Sequence, residues 1–530
     1  MPCGQRRNLA DRTDVASHAT VPLSRRFRSG SLGNSPLPLV LRTQISIVLP
    51  TMGAPAGIES ESHPREESSV SRSPRVATPV AARHDLAATY DERREFGRQA
   101  RVIAPRSDIA NWEPRARGHD ALETIMAQND LRLPELVPLR HQRMALSPWN
   151  YYRGASAVMA ADLASRPHSR LVVQLCGDAH VLNFGLWATP ERNLNFDLRD
   201  FDETLPGPFE WDVARLSASL VVAARENSVS PAVADAAVTA AVDAYRTQMR
   251  RYATMPLIDI WYEGTKFDEF IDHFEPADRG QVKMQIEKGK QNRTSRGAFA
   301  KLTTEWRGRP RITARPPLRV RLDDSEHGDI VDSLLADYRA TLQEDRRALF
   351  DRFVLVDVVR QVVGVGSVGM VVYLALFVGS ARGDPLFLQF KQAGPSVYEH
   401  HTYPSEHDNH GARVIAGKRM VQTATDMFCG WGSMNDRDFY VRQYRDMKLI
   451  PTTDLIAPVL AQFATACGSS LARAHARSGD PAAIDAYMGR NETFTKAMGE
   501  FARRYADQNA LDHAQLVGGI RKGKVEGIPD

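Results

Sequence analysis

Cysteine is scarce in this 530-residue chain. It has four, Cys3, Cys176, Cys429 and Cys467, with no CxxC pair and no disulfide framework, which fits a reducing cytoplasm. No uncharged apolar run reaches the roughly 18 residues a membrane span needs. The most apolar N-terminal piece, residues 36–50, is short and broken by Arg42. A basic excess is missing too, although the formal charge is +4. Residues 1–51 carry seven arginines against only Asp11 and Asp14. The remainder is therefore close to neutral, and neither nucleic acid nor membrane is expected as a partner. No internal repeat is present. What is there, 43% hydrophobic and 25% charged residues, suits a globular chain with two or three lobes.

Composition divides the chain. Residues 1–84 read as an Arg-rich, Ser/Pro-punctuated leader and a linker, disordered in expectation, with Met52 as a second plausible start. Residues 85–345 read as a helical lobe: 85–170 is mainly helix, broken at Pro105, Pro134 and Pro148 with one helical run over 148–166, and 211–255 offers two helices split near Ser228 and Pro231. The stretch 256–320 is charged and poorly periodic, an insertion that could shape a substrate pocket. Residues 346–450 read as strands, and 451–530 as helices that complete the helical lobe.

The stretch CGDAHVLNFGLWATPERNLNFDLRDFD, residues 176–202, carries the chemistry. Magnesium-dependent phosphoryl transfer needs one carboxylate for the attacking hydroxyl, and an amide oxygen with a second carboxylate to hold Mg²⁺ against phosphates. Asp178 and Asn183 suit the loop of such a site. Asp200 follows the alternating run Asn195–Leu198, a short strand that delivers it to the site. Asp202 is either a further metal ligand or a solvated turn residue. His180 joins Asp178 as a catalytic-loop residue, a brace rather than a metal ligand.

A second motif lies far downstream. Residues 364–371 read GVGSVGMV, matching G-x-G-x-x-G-x-V, with Gly364, Gly366, Ser367 and Gly369 placed to let backbone amides approach phosphates. Lys391 ends the strand-like run LFLQFK, where a phosphate-pairing lysine belongs. A dinucleotide-binding loop would open a helix after Gly369, but a β-branched, strand-like run follows instead. Glu399 and Glu406 compete to pair with Lys391. Arg413, Arg419, Arg442, Arg445 and Lys448 form a basic set downstream. His400, His401, His407 and His410 lack the fixed spacing of a zinc site.

The order CGDAHVLN, RDFD, PGP and Trp211-Asp212-Val213-Ala214 resembles the aminoglycoside phosphotransferase and choline kinase branch of the protein-kinase-like fold. Cys176 stands where that branch has histidine, and the PGP turn lacks its Asp. The resemblance implies Asp178 as base, Asn183 and Asp200 as metal ligands, Asp212 as a buried support for the loop, and ATP with Mg²⁺ as cofactors. It also implies a two-lobed α/β (α+β) fold, with a strand-rich nucleotide lobe and a larger helical lobe. The glycine loop follows the catalytic loop here, so a circular permutation is implied. YVRQYRDMK at 440–448 would be the hinge strand, and the helix ending SSLARAHARSGD would lead toward Asp178. From about residue 90 onward the chain also resembles a bacterial family called domain of unknown function 2252, through PLRHQRMALSPWNYYRGASAVMAADLA, QLCGDAHVLNFG, GVGSVG, LQFKQA and FYVRQYRDMK. Gln392 departs from the Glu expected after the lysine.

The expected function is phosphoryl transfer from ATP to an unidentified hydroxyl or amine, on a small molecule or a protein. Transfer of AMP to a protein and non-catalytic ATP binding remain open beside it. A metallophosphatase built on GDAH lacks the further metal-binding motifs it would need.

Overall fold

The computed structural model describes residues 88–527 apart from 293, 381–383 and 446. These residues all fall within one unit of the chain. The leader expected over residues 1–84, and Cys3 with it, lie outside the described residues. The architecture is mixed α/β, 54% helical and 16% strand.

Among the described residues, thirteen strands follow one another. β1 (Val172–Leu175), β2 (Phe184–Ala188), β3 (Leu194–Leu198), β4 (Leu205–Pro208), β5 (Thr265–Lys266), β6 (Thr303–Trp306), β7 (Arg309–Ile312) and β8 (Arg319–Arg321) come first. β9 (Val354–Gln361), β10 (Val372–Val378), β11 (Pro385–Ala393), β12 (Gly430–Met434) and β13 (Arg437–Gln443) complete the set. The six-stranded sheet runs β12-β13-β11-β10-β9-β8. Its pairings are antiparallel. The register sets Lys391 opposite Val372 on one side and Tyr440 on the other.

The apolar run in β10 is continuous because both faces of that strand are buried. Side chains alternate along a strand, so Tyr373, Ala375 and Phe377 join Tyr338, Phe350 and Phe390 in one cluster. Leu374 and Leu376 join Ile312, Val359 and Phe387 in another. Each fully buried side chain of this size contributes roughly 1.5–3 kcal/mol. The sheet also starts earlier than the expected boundary at 345/346. β8 pairs with β9, and Arg321 Nη1 is tied to Asp357 at 2.7 Å, a long-range pairing that local pattern does not reveal.

The rest is mainly helical and shares one large apolar core with β1–β4. Helices Phe209–Glu226 and Pro231–Tyr252 break between Ser228 and Ser230, as the sequence suggests. Ser230 caps the second by accepting from Val233 N. The expected single helix after Pro148 is instead two, Pro148–Gly154 and Ser156–Ala164, split at Ala155 (φ −113°, ψ 36°). Arg117 ties this region to the long helix Thr493–Arg521 by bridging Asp162 at 2.6 Å and Asp512 at 2.7 Å. Residues 256–320 form short helices and the β6–β7 hairpin, and Phe270, Phe274 and Ile286 from this stretch line a cavity of about 230 Å³ with Phe196, Leu449 and Phe463. Among the described residues, Thr453–Ala476 alone is long and apolar enough to cross a membrane, and 56% of its most apolar window is buried inside the protein.

Candidate active site

Residues 176–183 leave β1 as a loop that is fastened from below. Asp212, fully buried in the first turn of the Phe209–Glu226 helix, accepts the amides of Cys176 (2.7 Å) and Gly177 (3.1 Å). His475 Nε2 lies 3.2 Å from the same carboxylate, and its Nδ1 lies 2.9 Å from Tyr245 Oη. His475 is thus a buried brace. Gly177 has φ +85°, and a Cβ there would come within 2.2 Å of the Glu203 carbonyl oxygen, so the turn requires glycine.

The loop presents Asp178 with one oxygen held and one facing outward. Oδ1 accepts from Arg215 Nε at 2.9 Å, and the side chain as a whole keeps 22% exposure. Arg215 also donates to Tyr152 O (2.8 Å) and lies over the Tyr152 ring. Burial pushes the Asp178 carboxyl up, against the pull of Arg215. Asn183 donates Nδ2 to the Asp178 carbonyl (2.5 Å), and its Oδ1 accepts from Arg199 Nη2 at 3.5 Å. His180 is buried against Trp149, with ring centroids 5.8 Å apart. Its Nε2 is 3.7 Å from Asp178 Oδ2. Burial drives its pKa well down, so the ring is neutral at pH 7.

Strand β3 delivers the second carboxylate, and the amide of Arg199 on the carbonyl of Asn183 (3.1 Å) pins the strand exit beside the loop. Asp200 Oδ1 is buried and makes no hydrogen bond, with Arg442 Nη1 3.8 Å away. Burial would raise this carboxyl, yet Lys391, Arg442 and Arg199 together hold it well below the usual range. A carboxylate oxygen and an amide oxygen are donor types that suit a hard divalent cation, although no three acidic, histidine or cysteine side chains cluster as a metal site among the described residues.

Lys391, buried on β11, reaches across 189 residues of sequence to Asp202 Oδ2. Tyr440 Oη takes Asp202 Oδ1 at 2.6 Å. Neither Glu399 nor Glu406 pairs with Lys391. Glu399 accepts from Ser396 N (2.8 Å) and lies 3.8 Å from Arg413, while Glu406 is exposed. Helix His410–Val421, which follows β11, carries no acidic residue, and the lysine's partner comes from the 176–202 segment instead. Of the basic set, Arg413 is spent on the carbonyls of Asp202, Thr204 and Gly394. Arg442, which also bonds Gln389 Oε1 (3.1 Å), reaches the site. His400, His401, His407 and His410 belong to no metal-binding cluster among the described residues.

The glycine motif is the turn between β9 and β10, as expected. Gly364 (φ +67°) and Gly369 (φ +91°) use the left-handed region, and a Cβ on Gly366 would sit 3.0 Å from the Arg153 carbonyl oxygen. Its carbonyls face the segment before Pro148: Arg143 takes Gly364 O (2.7 Å), and Arg132 takes Gly366 O (2.8 Å) and Val368 O (2.5 Å). Across a trans peptide the next N–H points the opposite way. The amides of Val365, Ser367 and Gly369 are thereby turned from those arginines.

Four contributors escape the sequence reading: Arg132, Arg153, Arg215 and Glu203. Arg215 had a signal, since three residues along a helix from Asp212 it falls on the same face. Glu203 accepts Val397 N (2.8 Å), and burial pushes its carboxyl up to about 7. Because the folded pKa lies above the unfolded value, the charged form is the disfavoured one, and stability held at low pH is lost as pH rises through about 7. Glu203→Gln is therefore expected to gain about 2 kcal/mol, roughly 2 °C in Tm, at pH 8.5, with no gain at pH 4. Thermal melts at the two pH values check this, and an equal shift at both would contradict it.

The class this fold and site define is a mixed α/β protein in which a buried strand lysine meets the segment that carries Asp178, Asn183 and Asp200. Residues 132–518 match the family model described as "Uncharacterized protein conserved in bacteria (DUF2252)". The chain belongs to that family, and the matched stretch contains every site residue named above. No curated protein and no solved structure matches the chain.

Proposed function

We propose that this chain is an ATP- and Mg²⁺-dependent phosphotransferase on a circularly permuted protein-kinase-like fold. The observation that carries the reading is the meeting of Lys391, from the glycine-hairpin sheet, with the Asp178–Asn183–Asp200 segment. The order of parts supports it. Glycine hairpin, lysine strand, helix His410–Val421 and two further strands follow one another, and the sheet order is β12-β13-β11-β10-β9 with β8 at the edge. The permutation has support of its own: Ser478, two residues beyond helix Leu460–Ala476, accepts the amide of Gln174 in β1 (3.0 Å). The helix thus ends beside the strand that leads to Asp178.

In this reading Asp178 orients the acceptor hydroxyl or amine and takes its proton through Oδ2, while Arg215 fixes Oδ1. The acceptor oxygen or nitrogen bonds to the terminal phosphorus as the bridging P–O bond to ADP breaks. Lys391 and the turned-out amides of the 364–369 loop hold phosphate oxygens. Asn183 and Asp200 would hold Mg²⁺, which neutralises charge on the bridging and transferred oxygens when bound. Asp202, with both oxygens engaged, sets the position of Lys391.

Calorimetry of ATP binding with and without Mg²⁺ tests the reading. Binding that requires Mg²⁺ and weakens about tenfold or more in Lys391→Ala is expected. Absence of binding to the folded chain would overturn it. Product mass then separates phosphoryl transfer, an adduct of roughly +80 Da, from AMP transfer at roughly +329 Da.

A further inference from the structure

The basic side chains around the site are nearly all engaged by protein partners. Lys391 is held by Asp202, Arg215 by Asp178 and Tyr152, Arg132 by the loop carbonyls, and Arg442 by Gln389. Arg153 is different. It lies in the last turn of helix Pro148–Gly154, its Nε is buried with no hydrogen-bond partner, and its side chain makes no hydrogen bond to a described residue. Its backbone is clamped on both sides. The Tyr152 carbonyl is taken by Arg215, the residue that holds Asp178, while the Arg153 carbonyl abuts Gly366 at the centre of the glycine loop. Residues 152–153 therefore span the gap between the loop and the catalytic carboxylate. Asp178 and Asp200 are the charges that act most on this guanidinium. A buried guanidinium nitrogen left without a partner is costly unless an anion or a water completes it. A planar fork of donors is matched to two oxygens of a tetrahedral phosphate.

We propose that Arg153 forms an anion subsite for the terminal phosphoryl group of a nucleoside triphosphate, between the glycine-rich loop and Asp178. The subsite rests on the phosphotransferase reading for its ligand and deepens it. A diphosphate is too short to fill it, so Arg153 discriminates the triphosphate from the diphosphate. It also offsets the repulsion that two carboxylates exert on an incoming dianion.

The test is calorimetry on the full chain with ATP, ADP and tripolyphosphate, each with Mg²⁺, for the wild type, Arg153→Lys and Arg153→Ala, with circular dichroism to establish folding. The wild type is expected to prefer ATP over ADP by tenfold or more. Arg153→Ala should lose that preference while its ADP affinity stays within twofold, and Arg153→Lys should restore part of it. An ATP preference retained in folded Arg153→Ala overturns the subsite and leaves the phosphotransferase reading standing. Arg153-dependent binding of tripolyphosphate, with no binding of either nucleotide, keeps the subsite and removes the nucleotide reading. No binding of any of the three by the wild type removes both.

Discussion

Asp200→Asn should lower Mg²⁺-dependent ATP turnover, with water or a supplied alcohol as acceptor, by about 10³-fold or more, and Asp178→Asn by about 10²–10⁴-fold. The two losses have different origins. Asp200 carries the orphaned, ionised oxygen that would meet the cation, so its loss should appear as a raised Mg²⁺ requirement and weaker nucleotide binding. Asp178 is anchored through Oδ1 by Arg215, and Asn keeps an acceptor there, so nucleotide binding should persist while turnover falls. Steady-state ATPase measurements across Mg²⁺ concentrations separate the two patterns. Unchanged turnover in both variants would remove the site from the chemistry.

The largest effect on stability is expected at Asp212. Its carboxylate holds two loop amides and the His475 ring in a region closed to water. Asp212→Ala leaves those buried groups without partners, at a cost of about 3–5 kcal/mol. Asp212→Asn keeps one acceptor oxygen and should cost less. Urea unfolding measures both, and a loss under about 1 kcal/mol in Asp212→Ala would show that the loop is held by other means.

Asp212 also marks how far the sequence could be read. Its role as a loop support follows from the motif order, and the bonds to Cys176 and Gly177 are those such a role needs. The glycine hairpin was legible because glycine spacing and a β-branched run are local signals, and so was the Ser228–Pro231 break. Lys391 was legible as a buried strand lysine, but its partner was not. Glu399 and Glu406 are near in sequence, whereas Asp202 is brought to the lysine only by the packing of the sheet against the 176–202 segment. Arg132 and Arg153 were invisible for the same reason. Arg132, extended after the Gln128–Leu131 turn, and Arg153, in the last turn of helix Pro148–Gly154, are ordinary arginines until the glycine loop packs against them. Local pattern thus reveals the strands and loops that carry chemistry, while the charges that complete it are set by contacts across the chain.

In the proposed reading, two sequence-distant motifs form one nucleotide site. A crystal structure of the chain with Mn²⁺ and a non-hydrolysable ATP analogue is the decisive measurement. An anomalous Mn²⁺ peak shared by Asn183 and Asp200 is expected, with the phosphates against residues 364–369 and near Lys391. Nucleotide bound elsewhere, or Mn²⁺ with no contact to Asp200, would contradict it.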